Sequence, residues 1–154
     1  MTRLRESTLL DCTADQTQQG LEHFFNSLRK RDGISRFRLR VPVRGATKYG
    51  LSLDREVLIQ ARQVLYDGEV RERFVIAWMP EGSVVFPRFE GTLAIGDESE
   101  SGHSCIELDG SYTPPFDGTG KIFDADIGHQ IAQATAREFL KDLKSAIEAR
   151  LAGS

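Results

Sequence analysis

The C-terminal segment constrains this chain more than any other. Ile127, Ile131, Ala132, Ala136, Phe139, Leu140, Leu143, Ile147 and Leu151 recur at the spacing of a single helix face. Asp124 or Asp126 can cap the start, and Lys141, Lys144 and Arg150 lie toward the end, where positive charge suits the helix dipole. The spacing predicts a helix from about residue 126 to residue 151, ~39 Å long. An apolar stripe of that length has to be covered by something broad.

The only broad partner in the chain is a meander of strands. In residues 34–43, Phe37, Leu39, Val41 and Val43 alternate with Arg36, Arg38, Arg40 and Pro42. That period of two describes a strand with one buried and one wet face, and Pro42 places it at a strand end or an edge. In residues 55–66, Val57, Ile59, Ala61 and Leu65 share a face. Asp67-Gly68 signals a hairpin, and residues 70–79 return with Phe74, Ile76 and Trp78 on one side. Glu81-Gly82 turns into residues 84–96, where Phe89, Gly91, Leu93 and Ile95 align. A polar loop over 97–103 leads to residues 104–112, with Ile106, Leu108, Gly110 and Tyr112 alternating.

At the other end, residues 4–12 read as a first strand. Thr13 or Asp15 can cap a short helix carrying Leu21, Phe24, Phe25 and Leu28. Arg29, Lys30 and Arg31 suit that helix's negative end, and Asp32-Gly33 stops it. The expected fold is α+β: a curved antiparallel sheet of about six to seven strands wrapped around the long C-terminal helix, with a short N-terminal helical segment. No repeat or linker divides the chain, so residues 1–154 are expected to form one domain.

Composition removes several classes of function. A formal net charge of -3 lacks the basic excess of a nucleic-acid binder. The local basic runs read as solvated faces. No stretch approaches the ~20 apolar residues of a membrane span, and the N-terminus lacks a signal-peptide core. Cys12 and Cys105 are expected as free thiols in a reducing compartment, with a cytoplasmic location as the default. His103 and Cys105 form an H-x-C pair, but no further ligands are nominated, so no metal or other cofactor is expected. His23 and His129 fall on the two helices and could face each other. Gly118 and Gly120 read as turn glycines rather than a phosphate loop. No nucleophile elbow or triad is identifiable.

The closing stretch IELDGSYTPPFDGTGKIFDADIGHQIAQATAREFLKDLKSAIE resembles the C-terminal segment of the SRPBCC superfamily, the START and pollen-allergen-like group. Bacterial members often carry a G-x-Y-x-P-P turn, a Gly-containing loop, an Asp, and a helix ending F-L-x-x-L. The matching residues are Gly110, Tyr112, Pro114, Pro115, Gly118, Gly120, Asp124, Phe139, Leu140 and Leu143. The resemblance implies a helix-grip fold with a cavity between sheet and C-terminal helix. Members use it for lipids, sterols, polyketides, hormones and aromatic substrates, and others bind protein partners. The group has no universal catalytic residues, so no catalytic set carries over.

Strand parity nominates the lining of such a cavity: Phe74, Ile76, Trp78, Phe89, Leu93 and Tyr112. Gln63 and Glu72 share the inward parity and would be polar anchors. The same positions would equally suit an ordinary core in which parity slips at a bulge. The leading functional expectation is therefore a module that binds a small hydrophobic molecule or lipid, ahead of an enzyme. The alternatives are a ligand-free protein-interaction module, monomeric or homodimeric, and a cyclase- or hydratase-like enzyme using Tyr112 or Glu72.

Overall fold

A computed structural model of the chain describes residues 2–28, 30–31, 34–42, 52–64, 73–80, 88–98, 102–113 and 125–153. Its strands are β1 (Thr2–Leu10), β2 (Lys30–Arg31), β3 (Ile34–Pro42), β4 (Ser52–Val64), β5 (Arg73–Pro80), β6 (Arg88–Glu98) and β7 (His103–Thr113). They form one antiparallel 7-stranded sheet in the order β1-β7-β6-β5-β4-β3-β2. Two helices complete the fold, α1 (Ala14–Ser27) and α2 (Ala125–Ala152). This is the helix-grip arrangement expected from the sequence. Among the described residues, no helix is long and apolar enough to cross a membrane.

Helix α1 starts with a reciprocal cap. The Gln16 amide donates to the Thr13 hydroxyl, and the Thr13 amide donates to the Gln16 side chain. The end of α1 departs from expectation. Leu28 is extended, no basic residue lies in the last turn, and Lys30–Arg31 turn back as β2 against Ser35 and Ile34 of β3. Hairpin pairing, rather than the helix dipole, therefore determines where this basic run lies. The polar loop before β7 is also shorter than expected. Gly102, at φ 69, makes the turn, and His103 already belongs to the strand.

Helix α2 extends one residue beyond the expected bounds at each end. Ala132, Ala136, Phe139, Leu140, Leu143 and Ile147 form its buried face. Its backbone runs closest to β1 and β3, the flanks of the curved sheet, and stands farther from the central strands. Glu6 on β1 accepts from Arg137 at 3.2 Å and clips one flank to the helix. Helix α1 closes the opposite end of the core, where Gly20 fits against Ile147.

Candidate functional site

Register brings Ile59, Trp78, Phe89 and Tyr112 into one row across β4, β5, β6 and β7. All are buried on the face toward α2. The next row contains Ile76, Gly91 and Gly110, and the two glycines are direct partners. Without side chains there, the Phe89 ring can lean down the sheet. A Cβ built on Gly91 or Gly110 would stand 2.7 or 2.8 Å from Phe89 Cζ. Trp78 stacks on that ring at 4.5 Å between centroids and 23° between planes. Phe139 of α2 meets Trp78 at 5.2 Å and Phe37 of β3 at 5.7 Å. Aromatic rings thus face one another between α2 and the central strands at this end.

A hydrogen-bonded polar pair and one lone polar group stand in this aromatic end. The Tyr112 hydroxyl and His129 Nδ1, near the start of α2, share a hydrogen bond of 2.9 Å. Either atom can carry the proton, because a phenol oxygen and an imidazole nitrogen both donate and accept. The second group is the Trp78 indole N–H, which is buried and has no acceptor among the described residues. His129 does not face His23, as it could have from the helix positions alone. Helix α1 meets α2 at Gly20 and Ile147, ~27 Å along the helix from His129.

At the far end of the core the buried polar groups satisfy one another. Thr17 Oγ1 bonds Ser104 Oγ at 2.6 Å and Cys12 Sγ at 3.2 Å, all three side chains being buried. Neither Cys12 nor Cys105 forms a disulfide. His103 Nε2 sits 2.9 Å from Asp11, an exposed pairing at the edge of the molecule. On the outer sheet face, Arg3 donates to both Asp109 oxygens at 3.1 and 2.9 Å. That hydrogen bond holds the Asp109 carboxyl below its usual range, aided by the charges of Arg3 and Arg5 and opposed by burial. A depression of about 190 Å³ lies at the ends of β5, β6 and β7. Trp78 and Phe89 are among its lining residues, with Met79, Arg88, Glu90 and Ser111. By strand parity Met79, Arg88, Glu90 and Ser111 face away from α2, so the depression opens on the outer sheet face and borders the aromatic end at Trp78 and Phe89.

The parity-selected residues divide into two groups. Trp78, Phe89 and Tyr112 gather at the aromatic end. Phe74 instead meets Phe25 of α1 at 5.3 Å, and it pairs with Leu93, so these two pack toward the N-terminal helix. Ile76 is buried between the groups. Gln63 is the β4 partner of Phe74, but its side chain lies outside the described residues, as does all of Glu72. So do Pro114, Pro115, Gly118, Gly120 and Asp124 of the closing motif. Sequence reasoning missed His129 as the partner of Tyr112. The available signal was its place in the first turn of the helical stripe, between Ile127 and Ile131.

The sequence matches no protein-family model and no curated protein. Solved structures do share its architecture. An uncharacterized protein from Bacillus thuringiensis matches at TM-score 0.57 and 17% identity, over 95% of this chain and 98% of that one. The Zhui aromatase/cyclase from Streptomyces sp. R1128 matches at 0.55 and 14%, over 96% and 92%. The protein XoxI from Bacillus cereus matches at 0.55 and 17%, over 96% of each chain. At these identities the likeness extends to the fold alone.

Proposed function

We propose that this chain, which has the SRPBCC-type helix-grip fold, binds a small, mostly apolar molecule at the aromatic end between the sheet and α2. The observation that carries the reading is the Tyr112–His129 hydrogen bond, set among Trp78, Phe89 and Phe139. Apolar walls with a few placed polar groups are the usual make-up of a small-molecule site. Tyr112 and Trp78 stand two strands apart, about 10 Å at the backbone. That separation suits a ligand of two or three fused rings, or a chain of similar length. Gln63, the β4 partner of Phe74, lies on a row away from this end and is left out of the proposed lining.

The test is titration with 1-anilinonaphthalene-8-sulfonate and with a panel of fused-ring hydrocarbons and ketones. Binding is expected to change the emission of Trp78, the one tryptophan in the chain. If every probe leaves that emission and the melting temperature unmoved, the reading fails.

The same hydrogen bond favours a second reading, in which Tyr112 and His129 exchange a proton with a bound β-hydroxy ketone during dehydration. The likeness to an aromatase/cyclase supports testing it. Under this reading Tyr112→Phe abolishes turnover while the ketone still binds. Under simple binding no turnover is seen with either protein.

A further inference from the structure

The Trp78 indole N–H is the one polar side-chain group of the aromatic end left without a partner among the described residues. Trp78 is only 2% exposed, so water cannot readily satisfy it. The rings it meets, Phe89 and Phe139, present carbon only. Ile59 and Ile76, on the same buried face, add no acceptor. A buried donor left unpaired costs on the order of 1–3 kcal/mol, and native folds rarely accept that without a reason. This fold meets its other buried hydroxyl and thiol groups well, as the Cys12–Thr17–Ser104 chain shows.

We infer that Trp78 Nε1 is the donor that selects the ligand, and that the ligand is a neutral ring compound bearing a carbonyl oxygen. This rests on the binding reading above and makes it more specific. A hydrocarbon would leave the N–H unpaired. A carboxylate would have to lose its hydration among aromatic rings, and that costs far more than burying a ketone. A carbonyl oxygen supplies the missing acceptor without bringing a charge. The preference is thus built from an existing penalty that only one class of ligand relieves.

Two probes of nearly equal shape test the inference: 2-acetylnaphthalene, which has the acceptor, and 2-isopropylnaphthalene, which lacks it. Wild-type protein is expected to bind the ketone about tenfold more tightly, the effect of one well-made hydrogen bond to a buried donor. With ¹⁵N labelling, the single indole N–H gives one resonance to follow. Its proton should move downfield with the ketone and much less with the hydrocarbon. Trp78→Phe keeps an aromatic ring and removes the donor, so the two probes should then bind alike. Equal affinities in the wild type, or a ketone preference that survives Trp78→Phe, overturns the inference while leaving the binding reading intact. If neither probe binds, both fall. The indole resonance is read on wild-type protein, so the result stands even where the variant folds poorly.

Discussion

Gly110→Ala is the substitution that most directly tests how the aromatic end is built. The new Cβ would lie 2.5 Å from Gly91 Cα and 2.8 Å from Phe89 Cζ, and it would also crowd the Glu90 carbonyl. Carbon pairs are comfortable at about 3.5–4.0 Å, so the shortfall is about 1 Å. Two of these neighbours are backbone, which cannot rotate aside as a side chain can. Overpacking of this kind costs about 1–3 kcal/mol, and the rigid neighbours place Gly110→Ala at the upper end. For a chain of this size, 3 kcal/mol corresponds to a melting-temperature drop of roughly 6–12 °C.

The ring and backbone contributions can be separated. If Phe89 leans over the glycine pair, Gly110→Ala must lift it and disturb the Trp78 stack, which changes the near-ultraviolet circular dichroism of the lone tryptophan. In a Phe89→Leu background the ring part of the penalty disappears and the backbone part remains, so the two substitutions should be non-additive. Urea denaturation followed by Trp78 emission measures both terms. A Gly110→Ala protein within about 0.5 kcal/mol of wild type, the scatter of an ordinary surface change, and with an unaltered tryptophan signal would refute this packing.

Thr17→Val keeps the shape of the side chain but leaves the Ser104 hydroxyl and the Cys12 thiol without their shared partner. It should cost about 1–3 kcal/mol in urea denaturation, and a neutral result would argue against that buried chain. Asp109 has a folded-state pKa below its unfolded value, so its contribution to stability is present above that unfolded value and is lost as pH falls through the folded one. A carbon-13 titration of its carboxyl should show a low midpoint that rises in Arg3→Gln. An unchanged midpoint would reject Arg3 as the cause.

The elements that were legible in the sequence are those whose periodicity is strong. The α2 stripe has nine apolar positions on one face, so its bounds follow closely. Phe74, Ile76 and Trp78 alternate cleanly, and all are buried. Periodicity is silent about geometry between elements. It places Gly91 and Gly110 on inward positions, but not opposite one another, because strand register is set across the sheet rather than along it. It places His129 on a helix and Tyr112 on a strand, but the rotation of the helix that brings them together depends on the connecting residues. Lys30 and Arg31 show a direct competition between two rules. A dipole contribution of a few tenths of a kcal/mol is too weak to extend α1 against the extended conformation at Leu28 and the pairing with β3.

The two ends of the core treat buried polarity differently, and that contrast is the strongest functional argument the fold offers. Near Ser104, Thr17 and Cys12, every hydroxyl or thiol turns toward another, and the result is closed and structural. Near Trp78 and Tyr112, one group is paired across the sheet–helix gap and another is left open among the described residues. A core selected for stability alone would be served by phenylalanine at position 78, which offers aromatic bulk without a donor to satisfy. Retaining an indole there carries a penalty in the free protein that an acceptor-bearing ligand would remove. The same substitution therefore separates the two roles. If Trp78→Phe melts at or above the wild-type temperature in the absence of ligand and loses the ketone preference, the indole is there for recognition. If it melts lower and binding is unaffected, the indole is there for packing.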